Sequence, residues 1–314
     1  MLGGAVSLCL GAPTSPKPCR VLSLSGGGSY GAFEIGVLSR LVEENPDLDY
    51  DFIMGVSAGA LNTGLLSTAA PGPAGFAQTV DEAKALWLST KNQDVWEPRL
   101  DPLKGDPSLL STAPLKRTIE TKIGNKTVLR NVTLGTTDLA SGATVRHDES
   151  ELRGSANLTT VLLASAAIPV VFPPVALDGA RHVDGGNSAN VLTLHGINRC
   201  DAAAQGASLP EIVLDIILAD RPLAAVPPAE TLGWNMLQLA EREFAIAKGE
   251  LFNHELRFGC KPGVRSRINA TIYSSVSSLR VSKLGCLDFD HGDAIWAAGH
   301  NASRVDAHQF YFCP

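Results

Sequence analysis

Residues 52–62 read FIMGVSAGALN, and the Gly-x-Ser-x-Gly turn within this stretch decides the fold class. Such a turn between a strand and a helix forms a nucleophile elbow, in which the serine hydroxyl points out at the top of a sheet. Gly55 and Gly59 suit that turn because a side chain at either position would collide with the neighbouring strand or helix. The helix that follows places the positive end of its dipole beneath Ser57. Taken alone, the pentapeptide is equally compatible with a plain strand-to-helix turn.

Composition indicates an ordinary globular chain. It has 314 residues, of which 45% are hydrophobic and 18% charged, and its net charge is −6. Because it has no basic cluster, nucleic acid is not expected as a partner, and neither is purely electrostatic binding to anionic lipid. No apolar run of about 18 residues without charges occurs, so no transmembrane helix is predicted.

Strand-like and helical segments alternate along the chain, which favours an α/β fold with a mostly parallel central sheet sandwiched by helices. Residues 1–19 are predicted to be a disordered lead or a targeting remnant. No clear linker divides the rest, so residues 20–314 are predicted to form a single catalytic domain.

Cysteines and glycosylation sequons favour a secreted or luminal location, while a cytoplasmic or peripheral-membrane location stays open. The even number of cysteines is compatible with disulfides, and buried free thiols are the equal alternative. The cysteines are Cys9, Cys19, Cys200, Cys260, Cys286 and Cys313. The sequon asparagines are Asn125, Asn131, Asn157, Asn269 and Asn301.

A glycine-rich turn follows the predicted strand at residues 20–24 and opens a helix; its glycines are Gly26, Gly27, Gly28 and Gly31. Glycines let the backbone approach a ligand closely, and the helix dipole adds to the attraction of their N–H groups for an anion. These N–H groups are therefore candidate donors to the oxyanion of an acyl-transfer reaction.

The same spacing also fits a dinucleotide-binding fingerprint, which requires an acidic residue about 20 residues further on. Asp47, Asp49 and Asp51 are near enough to satisfy that spacing. The second strand, however, runs straight into the serine turn, which a dinucleotide site does not need. We therefore prefer the oxyanion interpretation.

The candidate base for Ser57 is Asp184, which is followed by Gly185 and Gly186. This Asp-Gly-Gly sequence closes a predicted hairpin that turns at residues 178–179, so the carboxylate lies at a strand end beside a flexible loop. The alternative is an aspartate that simply starts a turn, which is common for Asp-Gly. No His, Cys or Asp spacing is typical of metal ligands, so no metal and no cofactor is predicted.

Three motifs occur in one order and together resemble those of patatin-like phospholipases. They are the glycine-rich turn at 26–31, the serine turn at 55–59 and the Asp-Gly-Gly sequence at 184–186. Two further segments are similar to the family, TDLASG at 137–142 and ASAAIPVVFPP at 164–174. The resemblance extends over nearly the whole chain, and the combination is far more specific than any single motif.

The resemblance implies a catalytic Ser–Asp dyad, with Ser57 as the nucleophile and Asp184 as the base. It also implies an oxyanion hole formed by Gly26, Gly27 and Gly28. Members of this family transfer an acyl group to the serine and then hydrolyse it, acting on phospholipids, galactolipids or neutral lipids without calcium. The expected partner is therefore a lipid substrate at a membrane or micelle surface.

Two residues beside these motifs receive no catalytic role. Many relatives carry Arg or Lys where this chain has Tyr30, so a preference for phosphorylated head groups is not implied. His182 lies two residues before Asp184 and would point to the same side of the strand. We interpret His182 as structural.

Two other functions stay open. A conventional Ser–His–Asp hydrolase would combine the serine with Asp215 or Asp220 and with His291 or His300. A catalytically idle storage or lipid-binding glycoprotein would keep the fold without turnover. The complete set of motif residues favours a carboxylic ester hydrolase with a dyad.

Overall fold

The computed structural model places nine strands in one sheet within the part of the chain that it describes. The described residues are 17–101, 108–124, 126–153, 155–204, 210–219, 232–233, 246, 251, 254–255, 267–274 and 284–306. The strands of the sheet are β1 (Cys19–Leu24), β2 (Phe52–Val56), β5 (Val132–Asp138), β6 (Thr144–Asp148), β7 (Val175–Leu177), β8 (Ala180–Asp184), β9 (Ile212–Leu218), β10 (Ile268–Ser274) and β11 (Ser303–Asp306). A separate short pair consists of β3 (Glu97–Pro98) and β4 (Leu110–Ser111).

The large sheet has the order β11-β10-β9-β1-β2-β5-β8-β7, with β6 also paired to β5. The five adjacent strands β10, β9, β1, β2 and β5 run parallel to one another. Antiparallel pairs complete both sides of this parallel block, β10 with β11 on one side and β5 with β6 and β8 on the other.

Helices connect the strands. They are α1 (Gly31–Glu44), α2 (Ala58–Leu66), α3 (Pro73–Ser89), α4 (Asn92–Val95), α5 (Ala113–Lys122), α6 (Glu149–Leu152), α7 (Ser155–Ser165), α8 (Thr193–Ala203) and α9 (Gly292–His300). Single 3₁₀ turns lie at Gly28–Tyr30, Gly185–Asn187 and Gly285–Leu287. No helix in the described residues is long and apolar enough to span a membrane.

Both faces of the sheet are covered, because successive side chains of a strand point to opposite faces. In β1, Leu22 belongs to a buried cluster that includes Phe33 of α1. Its neighbour Val21 belongs to a second buried cluster that includes Ile197 of α8. Strands that are buried on both faces have nearly continuous apolar sequences, as β1, β2 and β9 do. The predicted α/β fold, with a mostly parallel central sheet sandwiched by helices, is confirmed.

The register of β5 brings two strand ends together. Strand β2 ends with Val56 opposite Gly135, and strand β8 ends with Asp184 opposite Thr136. Because β6 occupies one edge of β5 over residues 133–137, β2 and β8 share the other edge. The residues that follow Val56 therefore start beside Asp184.

The predicted hairpin is also confirmed. Strands β7 and β8 are joined by Asp178 and Gly179, whose φ angles are 50° and 82°. Two consecutive positive φ angles are what a two-residue hairpin turn of type I′ requires. At the amino-terminal side, β1 begins at Cys19, one residue before the expected start of the domain, and residues 1–16 lie outside the described residues.

A disulfide joins Cys19 at the start of β1 to Cys200 in α8, with 6.0 Å between the Cα atoms. Cys286 is partly buried, and the remaining three cysteines lie outside the described residues. The described sequon asparagines are all exposed, namely Asn131, Asn157, Asn269 and Asn301. Asn125 lies outside the described residues.

The disulfide closes a sequence separation of 181 residues, which restricts the unfolded chain strongly. We expect Cys200→Ser to lower the free energy of unfolding by about 3–5 kcal/mol, measured by urea denaturation of the oxidised protein. Dithiothreitol should abolish the difference in stability between wild type and variant, because it breaks the Cys19–Cys200 bond in the wild type. Equal stability of oxidised wild type and variant would contradict the bond.

Candidate active site

Ser57 lies at a strained elbow between β2 and α2. Its φ and ψ angles are 54° and −120°, a combination that residues with a side chain seldom adopt. A Cβ on Gly55 would lie 2.3 Å from the carbonyl oxygen of Gly59, and a Cβ on Gly59 would lie 2.5 Å from that of Leu24. The Gly59 N–H also donates to the Ser25 carbonyl at 3.1 Å. Backbone contacts therefore require glycine at both positions, and the predicted nucleophile elbow is present.

The serine hydroxyl contacts a carboxylate directly. Ser57 Oγ donates to Asp184 Oδ2 at 2.5 Å, and both residues are buried. The second carboxylate oxygen, Oδ1, accepts the Gly186 N–H at 2.8 Å. Asp184 donates its own N–H to the Ala167 carbonyl at 2.9 Å, and its carbonyl accepts the Thr137 hydroxyl at 3.0 Å. Main chain and side chain of Asp184 are thus both held in place.

Ser165, the last residue of α7, binds the elbow from its other side. The Ser57 N–H donates to Ser165 Oγ at 2.9 Å, and Ser165 Oγ donates to the Gly135 carbonyl at 2.6 Å. Ser165 is fully buried. Ser165 lies within the segment at 164–174 that is similar to the family, but no role was predicted for it. The elbow is therefore tied to β5 by a side chain that pattern reasoning missed.

The glycine-rich turn lies against the serine. A Cβ on Gly26 would lie 2.9 Å from the Cβ of Ser57. The Gly26 N–H donates to the Asn190 carbonyl at 3.4 Å, whereas no residue in the described part of the chain accepts the N–H groups of Gly27 and Gly28. Gly28 has a φ of 57°, a left-handed conformation that favours glycine. The turn therefore offers two uncommitted backbone donors.

The other motif glycines allow close packing. A Cβ on Gly31 would lie 2.5 Å from the ring of Trp87, and a Cβ on Gly185 would lie 2.4 Å from the carbonyl oxygen of Gly135. Side chains at these two positions would push the glycine-rich turn or the Asp-Gly-Gly loop away from the elbow.

The family model described as Patatin-like phospholipase matches residues 22–195, more than half of the chain. The chain belongs to this family. The resemblance inferred from the three motifs is confirmed, and the matched region contains the glycine-rich turn, the elbow and the Asp-Gly-Gly sequence.

Several relatives of this patatin-like chain are distant. A curated protein of Escherichia coli (strain TW11681), named cGAMP-activated phospholipase, is 28% identical over 196 residues, which are 54% of this chain and 52% of the relative. The chain thus spans about half the length of that relative.

VipD from Legionella pneumophila has a TM-score of 0.41 and 12% identity, over 94% of this chain and 66% of VipD. In the heterodimeric ExoU–SpcU complex of Pseudomonas aeruginosa, the matched chain has a TM-score of 0.35 and 13% identity, over 81% of this chain and 57% of that one.

The patatin-like site does not include the acid considered for a Ser–His–Asp hydrolase. The Asp215 carboxylate accepts the hydroxyl of Tyr50 at 2.9 Å and that of Tyr273 at 3.2 Å. Burial raises the pKa of Asp215 against the effect of these hydrogen bonds. Asp220 lies outside the described residues. Asp215 of β9 is therefore part of a buried network with Tyr273 of β10 and Tyr50, which lies just before β2.

The candidate histidines are engaged elsewhere. His300 Nε2 lies 2.8 Å from a carboxylate oxygen of Glu43, and His291 Nε2 lies 3.5 Å from one of Asp288. His182 is buried, and its Nδ1 lies 2.9 Å from the hydroxyl of Thr136. Within the described residues, no histidine bonds Ser57, and no group of three or more His, Cys, Asp or Glu side chains is placed to hold a metal ion.

The structure also argues against the dinucleotide site. Asp47, Asp49 and Asp51 precede β2, whereas a dinucleotide-binding fold places its acidic residue at the carboxyl end of the second strand. Asp51 accepts the N–H of Arg20 at the start of β1, and Asp49 pairs with Arg130. Asp49 and Asp51 therefore lie at the amino-terminal ends of the parallel strands, opposite to the glycine-rich turn.

A second buried carboxyl group lies in α1, next to the glycine-rich turn. Glu34 is fully buried, and its Oε2 accepts Asn62 Nδ2 at 2.8 Å. The same amide nitrogen donates to the Gly31 carbonyl, and Asn62 Oδ1 accepts the indole N–H of Trp87 at 2.7 Å. Burial raises the pKa of Glu34 well above its ordinary value, and the Asn62 hydrogen bond opposes this only in part. The network supports the helix that the glycine-rich turn opens.

We expect Gly59→Ala to destabilise the protein by about 2–3 kcal/mol, because the new methyl group meets backbone atoms of Leu24 and Ser25 that cannot move freely. Gly64→Ala in the same helix is the matched control, since the three atoms nearest to its methyl group all belong to the side chain of Leu162. Urea denaturation of both variants measures the difference. Equal losses would contradict the close approach.

We also expect Glu34→Gln to change how stability depends on pH. The pKa of Glu34 is raised in the folded state, so its neutral carboxyl group stabilises the folded wild type fully below about pH 4.5. This contribution is lost as pH rises above that value and the carboxyl group ionises. Glutamine imitates the neutral carboxyl group at every pH. The melting temperature of the variant should therefore rise relative to wild type between about pH 5 and pH 8. Glu120→Gln, at an exposed position in α5, should leave the profile unchanged.

Proposed function

We propose that this chain is a serine acyl hydrolase that cleaves carboxylic ester bonds of phospholipids or galactolipids through a Ser57–Asp184 dyad. The observation that carries the proposal is the 2.5 Å hydrogen bond from Ser57 Oγ to Asp184 Oδ2, made by a serine in a strained elbow conformation. Membership of the patatin-like phospholipase family supports a lipid ester as the substrate.

In the acylation step, Ser57 Oγ attacks the ester carbonyl carbon while its proton passes to Asp184 Oδ2. A carboxylate is a weak base, so proton transfer accompanies the attack and does not precede it. The carbonyl oxygen becomes an oxyanion, which the N–H groups of Gly27 and Gly28 are available to stabilise. Asp184 then returns the proton to the departing alcohol, leaving an acyl group on Ser57.

In the deacylation step, water attacks the acyl carbon and gives a proton to Asp184. The bond between the acyl carbon and Ser57 Oγ breaks, a fatty acid leaves and the serine regains its proton. The Gly186 N–H bound to Oδ1 keeps the second oxygen of Asp184 facing Ser57 throughout. No metal or cofactor is needed to balance these steps.

Purified protein should release fatty acid from phospholipid or galactolipid vesicles, with triacylglycerol emulsion as a third substrate. We expect Ser57→Ala and Asp184→Asn to lower kcat by about 10⁴-fold or more, because each removes a group that acts in bond making. A fluorophosphonate probe should label wild type and fail to label Ser57→Ala.

Two histidine variants serve as controls. His291→Ala and His300→Ala should retain hydrolysis, since neither residue contacts Ser57. Normal hydrolysis by Asp184→Asn together with loss in either histidine variant would favour a Ser–His–Asp mechanism instead. Absence of both hydrolysis and probe labelling in wild type would indicate the catalytically idle alternative.

A further inference from the structure

Asn190 carries an unexplained polar atom beside the nucleophile. It lies three residues after the 3₁₀ turn at Gly185–Asn187, and it is only 7% exposed. Its side-chain oxygen Oδ1 is buried and has no hydrogen-bond partner in the described residues. Because a buried polar atom without a partner destabilises a folded protein, such an atom calls for a functional explanation.

The position of this amide group is defined by Gly26. The point that a Cβ of Gly26 would occupy lies 2.8 Å from Asn190 Oδ1, 2.9 Å from Ser57 Cβ and 3.6 Å from Ser57 Oγ. The amide of Asn190 and the hydroxyl of Ser57 therefore border the same small space. The Asn190 carbonyl accepts the Gly26 N–H at 3.4 Å, which ties the residue to the glycine-rich turn.

The point lies close enough to Ser57 Oγ for the oxygen of a carbonyl carbon bonded to Oγ to come within hydrogen-bond reach of the Asn190 amide. A half-turn about the last side-chain torsion of Asn190 exchanges its amide oxygen and nitrogen, so the NH₂ group can occupy the place of the unpartnered oxygen. An amide N–H is a suitable donor to such an oxyanion, and it needs no ionisation.

We propose that Asn190 is a catalytic residue whose side-chain N–H donates to the oxyanion during acylation and deacylation. This proposal rests on the function proposed above and adds a third donor to those of Gly27 and Gly28. The amide acts through a hydrogen bond that is strongest when charge develops on the carbonyl oxygen. It should therefore affect turnover much more than substrate binding.

The test compares Asn190→Leu, which has a similar size and no donor, with Asn190→Asp, which offers only acceptors. Both should lower kcat by about 10²–10³-fold with little change in KM, measured on a soluble short-chain ester. The affinity for a trifluoromethyl ketone, which forms a tetrahedral oxyanion adduct with a serine, should fall by a similar factor. Thermal unfolding of Asn190→Leu should occur at the same temperature or higher, because the unpartnered oxygen is gone.

Asn187→Ala is the matched control, since Asn187 belongs to the same loop and binds the main-chain carbonyl of Asp184. If this loop acts only structurally, Asn187→Ala should lower the melting temperature and the activity together. Its affinity for the ketone should then fall no more than its activity. Asn190 variants with kcat and ketone affinity within threefold of wild type would overturn the proposal while leaving the hydrolase function intact. A wild type that neither hydrolyses esters nor reacts with the fluorophosphonate probe would overturn both proposals.

Discussion

The active-site architecture depends on how closely helix α2 approaches the end of strand β1. The Gly59 N–H donates to the Ser25 carbonyl at 3.1 Å, and there is no room for a side chain between Gly59 and the backbone of Leu24. This contact places the residue after Ser25, Gly26, directly against Ser57. One short approach between two backbones therefore brings the glycine-rich turn to Ser57.

A second constraint is the division of one edge of β5 between β2 and β8. The parallel strand β2 ends opposite Gly135, and the antiparallel strand β8 ends opposite Thr136. Two segments that are far apart in sequence therefore end side by side. The carboxylate of Asp184 reaches Ser57 because of this register, and a shift of one residue in β8 would turn it to the other face. The Ser165 hydroxyl links the elbow to the same place in β5, because it accepts the Ser57 N–H and donates to the Gly135 carbonyl.

Much of the geometry of this site could be predicted because it depends on local sequence. The Gly-x-Ser-x-Gly turn needs glycines for steric reasons that hold wherever the turn occurs, and the Asp178–Gly179 hairpin follows from the preference of those residues for positive φ. The contacts of Ser165 and Asn190 could not be predicted in the same way. They depend on which loops meet in space, and neither residue differs locally from the many other serines and asparagines of the chain.

The buried polar groups illustrate the same limit. Asp215 satisfied the chain order of a Ser–His–Asp hydrolase, yet it binds two tyrosines from other parts of the fold. Spacing along the chain cannot distinguish a catalytic acid from a buried structural one. The distinction lies in the partners, which only the strand order and register determine. For Glu34, a helix was predicted after the glycine-rich turn, but nothing in the local sequence indicates that its carboxyl group is enclosed in the core.

The distance of 2.5 Å between Ser57 Oγ and Asp184 Oδ2 also limits which group can act as the base in the proposed mechanism. An imidazole between these atoms would need a hydrogen bond on each side of its ring, and so short a contact leaves space for neither. A carboxylate is a weaker base than imidazole, so less of the barrier is removed by proton abstraction. More must then come from donors aimed at the oxyanion. In the proposed mechanism, the uncommitted N–H groups of the glycine-rich turn supply part of that stabilisation, and the side-chain N–H of Asn190 supplies a further part.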